Sequence, residues 1–233
     1  MHTPPIKPAE HAETHLLHLI LSGTYPAGAD LPAERDLATQ LGVTRPTLRE
    51  ALQRLSRDGW LRIQHGKPTR VNDYLTEGGL AILGRIAQHG QIEALIPQLL
   101  EVRAVLAPAY TEAAVRRAPD WVADLLSTLP SSAPDAYAAY DWALHKTLVH
   151  LSGNVIYPLI LNGFAGVYAT AGAHYFASPE ARDLSTELYG RLRAAALDHD
   201  GPAAAHAMRD VLTRSMQLWH AQNAPAAPPE ATP

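Results

Sequence analysis

The chain of 233 residues contains no cysteine. Disulfide bonds, thiolate nucleophiles and zinc sites with cysteine ligands are therefore excluded. No run of about 18 apolar residues occurs, which argues against a membrane-spanning helix. The first residues also lack a basic stretch followed by a continuous apolar run, so they do not look like a signal peptide. Together these absences predict a soluble, cytoplasmic protein that does not enter a membrane.

Familiar catalytic motifs are missing as well. The sequence has no G-x-S-x-G, no glycine-rich phosphate loop and no H-E-x-x-H. These motifs place a serine nucleophile, bind nucleotide phosphates and hold a catalytic zinc ion, respectively. We therefore predict that the protein is not an enzyme and that it needs no cofactor.

Negative charge prevails overall, but it is unevenly distributed. The formal net charge is -4, whereas residues 45–70 contain seven arginines and lysines against two acidic residues. Such a local excess of positive charge suits a nucleic-acid phosphate backbone. A solvated, charged helix face with no partner is the alternative interpretation. Charge therefore directs attention to the N-terminal third of the chain.

Three helices are predicted in this N-terminal part. Leucine and isoleucine recur at helical intervals in residues 10–22, and a second helix is expected from Pro32 to Leu41. Thr44 is a natural N-cap of a third helix, which buries a stripe of leucines spaced by three and four residues. Gly42 supplies the turn between the second and third helices. This arrangement is typical of a helix-turn-helix.

The periodicity changes after the third helix. Residues 61–64 and 69–72 alternate between apolar and polar types around a turn-like His-Gly-Lys-Pro, which predicts a small β-hairpin, or wing. Helical patterns then dominate, at 80–89, 92–117, 119–128, 134–152, 154–172, 178–199 and 202–221. The predicted fold is mainly α: an N-terminal winged helix-turn-helix with three helices and a small β-hairpin, followed by an all-α effector-binding bundle. The predicted parts are a DNA-binding domain at 1–74, a linker at 75–79, a helical regulatory domain at 80–221 and a disordered tail at 222–233.

Candidate DNA contacts follow from the phase of the third helix. Its apolar stripe leaves Arg45, Thr47 and Arg49 near the solvent-facing N-terminal end, where recognition helices contact base edges. An arginine fork there can bind guanine O6 and N7. Backbone N–H groups at the helix start can bind a phosphate. The predicted contacts to double-stranded DNA are Arg35, Thr44, Arg45, Thr47, Arg49, His65, Gly66 and Lys67.

Several long motifs carry a family resemblance. The segments PAER, GVTR, TLRE, RDGWL and IQHGKPT resemble the winged helix-turn-helix of the GntR family of transcription regulators, and specifically its FadR subfamily. The likeness continues more loosely in SGNVIYPLILNG and AHYFASPEARDL. It implies the same DNA contacts, with Lys67 added from its charge alone. Pro46 departs from the threonine of the pattern, which removes one expected phosphate contact.

The resemblance also implies an effector. Members of this subfamily are homodimers that release a pseudo-palindromic operator when the helical domain binds long-chain acyl-CoA. Repression of fatty acid degradation genes is expected, and activation of fatty acid synthesis genes stays open. The implied acyl-CoA contacts are Trp60 at the domain junction, Arg103, His145, Tyr168, Tyr175, Arg209, Ser215 and Trp219. His145 stands where the subfamily has phenylalanine, and Leu212 where it has a small residue, so chain-length preference is left open.

A metal-dependent sensor of a small carboxylate is the alternative within the same family. Many relatives hold a metal with an Asp-x3-His pair and two further histidines, and Asp141 and His145 match the first pair. Tyr189 and Val211 stand where the other two histidines are expected. Because two ligands make a poor site, the sequence favours the absence of a metal.

Overall fold

A computed structural model describes residues 7–223, apart from the side chains of residues 90, 91, 93, 94 and 169. The chain forms two compact units that meet in the sequence between His89 and Gly90. The first unit contains α1 (Pro8–Leu21), α2 (Glu34–Gln40), α3 (Arg45–Arg57), β1 (Leu61–Arg62), β2 (Arg70–Val71), α4 (Tyr74–Glu77), α5 (Ile82–Ile86) and the start of a π-helical turn (Ala87–Gln91). In the described residues, no helix is both long and apolar enough to span a membrane.

Helix α3 is fixed at its start by a cap and along its length by burial. The side-chain oxygen of Thr44 accepts a hydrogen bond from the N–H of Thr47 at 3.4 Å, which satisfies one of the free donors of the first turn. Leu48 and Leu55 are fully buried, and α1 is a neighbour of α3. Gly42 adopts φ +66° in the turn before α3, a conformation that favours glycine. The opposite face of α3 is thereby left to solvent.

The wing is a two-stranded antiparallel sheet. Leu61 pairs with Val71, and Gly66 takes φ +74° at the turn. The segment before α2 adds to this sheet, because the N–H of Leu31 donates to the carbonyl of Thr69 at 2.8 Å. The sequence predicts a turn before α2 but not its pairing with β2. A single bridged residue has no alternation of apolar and polar side chains that would indicate a strand.

The second unit is entirely helical in its described part. It contains α6 (Ile92–Arg117), α7 (Pro119–Leu125), α8 (Pro134–Leu151), α9 (Ile156–Gly163), α10 (Ala165–Tyr175), α11 (Pro179–Leu197) and α12 (Gly201–Asn223). Helix α6 packs against α8, α10 and α12, and α11 packs against α7 and α12. The predicted mainly α fold, with a winged helix-turn-helix ahead of a helical bundle, is confirmed.

Some element borders differ from the prediction. The helix predicted at 154–172 is two helices, because the N–H of Phe164 bonds back only three residues to Leu161 at 2.9 Å and ends α9. The segment predicted as a linker overlaps α4, which Asp73 caps by accepting a hydrogen bond from the N–H of Leu75 at 3.2 Å. The first unit runs on to His89, beyond the predicted border at residue 74.

The buried carboxylate of Glu13, on α1, pairs with arginines of α3 and α5. Arg54 lies 3.6 Å from its carboxylate, and Arg85 of α5 also forms an ion pair with it. This pairing attaches α5 to the helix-turn-helix. At the other end of the chain, Gln222 and Asn223 belong to α12, and the rest of the predicted tail lies outside the described residues.

Candidate DNA interface and effector site

The solvent face of α3 presents two arginines one helical turn apart. The side chains of Arg45 and Arg49 are 58% and 61% exposed, so they are free to meet a duplex. Thr44 and Thr47 also lie at this end, and their hydroxyl oxygens are 2.8 Å apart. Arg35 is exposed near the start of α2, where its Nε donates to Asp36 at 2.9 Å. The predicted contacts on α2 and α3 are therefore exposed polar groups around one helix-turn-helix.

An acidic side chain lies among these arginines. The Oε2 atom of Glu34 accepts a hydrogen bond from Arg49 Nε at 2.7 Å and lies 3.8 Å from Arg45 Nη2. Sequence reasoning missed Glu34 because it searched for cations. The sequence did offer one signal for Glu34, which is its position in the first turn of α2, the helix before α3. In the wing, His65, Gly66 and Lys67 are all exposed.

In the second unit, the core contains a buried polar cluster. Arg103 of α6 donates to Asp141 Oδ2 of α8 at 3.2 Å and also to His145 Nε2. Its guanidinium carbon lies 5.3 Å from the ring centroid of Tyr168, a cation–π distance. Asp141 also accepts hydrogen bonds from Tyr168 and, at 3.1 Å, from Tyr189. The carboxylate of Asp141, on α8, is thus surrounded by donors from three other helices.

Ionisation of Asp141 is favoured by these neighbours. Burial raises the pKa of Asp141, but the positive charge of Arg103 and the hydrogen bonds from Tyr168 and Tyr189 outweigh burial and bring the pKa below its ordinary value. Burial beside the carboxylate also raises the pKa of Tyr168 and Tyr189, so both phenols stay protonated and donate. The cluster is therefore an anion held by a guanidinium and two phenols.

His145 is neutral in this cluster. A guanidinium has only donors, so Nε2 of His145 must accept from Arg103, and the ring proton is on Nδ1, 2.7 Å from the Tyr110 hydroxyl. Burial and the charge of Arg103 lower the pKa of His145 to about 3, against a smaller opposing effect of Asp141. A proton on Nε2 would place two donors face to face.

This neutral histidine predicts acid sensitivity of the second unit. Its pKa is about 3 in the fold and 6.5 in the unfolded chain, so the unfolded state binds the extra proton as pH falls below 6.5. Between pH 7 and pH 5 the unit should lose about 2 kcal/mol of stability through this group. Urea denaturation followed by tryptophan fluorescence measures the loss.

The matched control for this prediction is an exposed histidine. We expect His145→Phe to flatten the pH dependence between pH 7 and pH 5, whereas His206→Gln, on the exposed face of α12, should leave it unchanged. Equal slopes for wild type and His145→Phe would contradict a buried neutral imidazole.

Comparison with known proteins assigns both units to families. Residues 8–71 match the family model described as bacterial regulatory proteins, gntR family, and residues 72–227 match that of the FadR C-terminal domain. The chain belongs to the GntR family. Within that family its second unit is of the FadR type.

Curated relatives in the GntR family are similar over nearly the whole chain. The chain is 43% identical over 216 residues to a protein of Shewanella sp. (strain MR-4) named "Fatty acid metabolism regulator protein", with 91% of this chain and 90% of that protein covered. It is 42% identical over 217 residues to the protein of the same name from Escherichia coli O1:K1 / APEC, with 91% of each covered. A solved structure described as "Lar controls the expression of the Listeria monocytogenes agr system and mediates virulence" is 16% identical with a TM-score of 0.53, covering 95% of this chain and 98% of that one. That likeness concerns the fold alone.

Two of the four metal ligands that the metal-sensor alternative requires are absent from this chain. Tyr189 stands at one expected histidine position, and its hydroxyl contacts the carboxylate of Asp141. Arg103 contacts both Asp141 and His145, so a fixed positive charge already occupies the space next to them. Among the described residues, no cluster of three histidine, aspartate or glutamate side chains could hold a metal ion. Sequence reasoning had identified the Tyr189 position without seeing this hydrogen bond.

A narrow apolar cleft lies beside the cluster, between α6 and α10. Its lining comprises Ile96, Leu99, Leu100, Arg103, Tyr168, Ala171, Gly172, Tyr175 and Phe176. Its free volume is about 20 Å³, so the side chains leave little room between them. The hydroxyl of Tyr175 is buried, and no hydrogen-bond partner for it lies within the described residues. Burial raises the pKa of Tyr175, and the nearby hydroxyl of Ser215 opposes that shift without completing a hydrogen bond.

The predicted effector contacts are only partly brought together. Arg103, His145 and Tyr168 belong to the polar cluster or touch it, and Tyr175 lines the adjoining cleft. The remaining four are spread more widely. Ser215 and Trp219 are buried on α12, and the Trp219 ring lies 5.6 Å from that of His174. Arg209 is on the exposed face of α12, and Trp60 is fully buried in the first unit, 4.9 Å from the Tyr74 ring.

Proposed function

We propose that this protein represses fatty acid degradation genes as a homodimer on a pseudo-palindromic operator, and that long-chain acyl-CoA binding to the second unit releases the DNA. Membership of the GntR family makes it a DNA-binding transcription regulator. The names of the curated relatives support fatty acid metabolism as its subject. Two identical recognition helices related by twofold symmetry would read two half-sites.

The observation that carries the effector proposal is the cleft beside Arg103. Aliphatic and aromatic side chains line most of it, which suits an acyl chain. The hydroxyl of Tyr175, which has no hydrogen-bond partner among the described residues, can donate to a thioester carbonyl. Sites for such ligands enclose roughly 300–1,000 Å³, far more than the cleft offers. Helices α6 and α10 must therefore separate when the chain enters.

Separation of these helices disturbs the polar cluster. Arg103 is on α6 and Tyr168 is on α10, and both contact Asp141 of α8. Acyl-CoA therefore favours a rearranged cluster, whereas the closed cluster favours the unliganded state. If the operator binds the closed state better, linkage requires each ligand to weaken the binding of the other by the same factor.

Gel-shift titration tests this function directly. A duplex that the wild-type chain selects from a random pool is titrated with protein, with and without saturating oleoyl-CoA, and with acetyl-CoA and free CoA as controls. We expect release by oleoyl-CoA only. Unchanged binding with oleoyl-CoA would reject the effector proposal, and sedimentation of a monomer on and off DNA would reject the dimer.

Tyr175 offers a separate test of how the ligand is bound. We expect Tyr175→Phe to weaken oleoyl-CoA binding about fivefold to tenfold, because one hydrogen bond of about 1 kcal/mol is lost. Isothermal titration calorimetry measures the affinity. The matched control is Tyr137→Phe, because Tyr137 does not line the cleft and its hydroxyl bonds the Thr186 side chain at 2.8 Å. Equal affinities for wild type and Tyr175→Phe would remove this residue from the site.

A further inference from the structure

We propose that Glu34 is a positioning residue that sets the DNA specificity of this protein by aiming Arg49 and, more weakly, Arg45. The inference rests on the proposed DNA contacts of those two arginines. It adds a role for an acidic side chain to a surface whose proposed DNA contacts include no acidic residue.

Geometry places one carboxylate against two arginines. Arg45 and Arg49 are four residues apart on α3, so their side chains leave the same face of the helix. Glu34 opens α2, and the turn of the helix-turn-helix brings its Oε2 atom within 2.7 Å of Arg49 Nε and 3.8 Å of Arg45 Nη2. Its side chain is 36% exposed and therefore partly shielded from water.

The contact at Nε decides which edge of Arg49 is free. A guanidinium offers five N–H donors, and one edge of the group includes Nε. Because Glu34 occupies Nε, the two terminal nitrogens of Arg49 are left as the free fork. Those two parallel donors match O6 and N7 of guanine in the major groove. Without Glu34, Arg49 could turn and bind any phosphate along the duplex.

The charge of Glu34 acts in the same direction. Affinity for any duplex comes mainly from cations that neutralise phosphates, whatever the base sequence. A carboxylate beside two arginines reduces that general attraction, and only a correctly placed guanine compensates for it. Repulsion of the wrong partner is a common source of specificity.

Helix α3 offers a matched control for Glu34. Glu50 of α3 pairs with Arg54 at 2.6 Å, one turn further along, and Arg54 is not among the proposed DNA contacts. Glu50→Gln removes one negative charge from α3, as Glu34→Gln removes one from the neighbouring α2, but it leaves the ion pair of Glu34 with Arg49 in place. Any difference between the two variants therefore reports on positioning rather than on net charge.

Fluorescence anisotropy at fixed salt tests the proposal. The full chain and both variants are titrated onto the duplex that the wild type selects from a random pool and onto a scrambled duplex of equal composition. We expect Glu34→Gln to bind the scrambled duplex about threefold to tenfold tighter and the selected duplex with unchanged affinity, so that the affinity ratio falls about threefold to tenfold. Glu50→Gln should keep the ratio within about twofold of wild type. Thermal melts confirm that both variants fold.

Three results would overturn the proposal. One is a Glu34→Gln ratio within twofold of wild type, and another is an equal fall for Glu50→Gln. The third is a wild-type chain that enriches no duplex from the pool, which would also reject operator binding itself. The first two leave the proposed function intact, so the two failures are distinguishable.

Discussion

Replacing both Arg45 and Arg49 by alanine is expected to weaken operator binding by about 100- to 1,000-fold. Each bidentate arginine–guanine contact is worth about 1–3 kcal/mol of discrimination against the wrong base. Both side chains are mostly exposed at the N-terminal end of α3, so their loss leaves the leucine stripe of that helix unchanged. Binding to a scrambled duplex should fall much less, because only general phosphate attraction is reduced.

Anisotropy titration on the selected duplex measures the effect. The control is Arg191→Ala with Arg214→Ala, which removes the same charge from ion pairs between α11 and α12 in the second unit. We expect the control to bind the operator nearly as wild type. A double Arg45, Arg49 variant within about threefold of wild type on the operator would show that α3 is not the recognition helix.

Much of this proposed DNA-binding surface was predictable from local sequence. The spacing of leucines fixes the phase of α3, and that phase alone exposes Arg45 and Arg49. The partner of these arginines was not predictable in the same way. Glu34 lies 15 residues before Arg49 along the chain, and periodicity within one helix carries no information about contacts between helices. Helix-turn-helix geometry, rather than composition, brings the carboxylate to them.

The effector site was predicted as a set of residues but not as a cluster. Family resemblance named Arg103, His145 and Tyr168 as effector contacts, and in the structure each of the three contacts Asp141 or a neighbour of Asp141. Tyr110 and Tyr189 were not predicted as members. Tyr189 is 48 residues from Asp141, and a buried tyrosine on an apolar face is ordinarily core packing. The sequence drew attention to Tyr189 only because a metal-binding histidine is expected at that position.

The position of His145 shows how one substitution changes a site. In the pattern of the subfamily a phenylalanine is expected there, whereas here an imidazole bridges Arg103 and Tyr110. The polar cluster is therefore one residue larger than the pattern implies. Because that residue is neutral in the fold and protonated in acid when unfolded, the added hydrogen bonds come with an acid-sensitive stability.

Asp141→Ala is expected to lower the free energy of unfolding of the second unit by about 3–5 kcal/mol, because breaking a buried ion pair leaves an uncompensated charge. The Arg103 side chain is only 12% exposed, so water cannot take the place of the carboxylate. The hydroxyls of Tyr168 and Tyr189 lose their acceptor at the same time. Urea denaturation with tryptophan fluorescence measures the loss, and Asp210→Ala, in an exposed ion pair, should cause a much smaller one.

A paired replacement separates stability from function. Asp141→Leu with Arg103→Met removes both charges, and apolar side chains of similar volume often replace a buried ion pair without loss of stability. We expect this variant to recover the part of the stability that the uncompensated charge of Arg103 costs, but not the part lost at the hydroxyls of Tyr168 and Tyr189. It should stay on the operator when oleoyl-CoA is added. Recovery of stability together with normal release would show that the cluster only supports the fold, and that acyl-CoA acts through another part of the second unit.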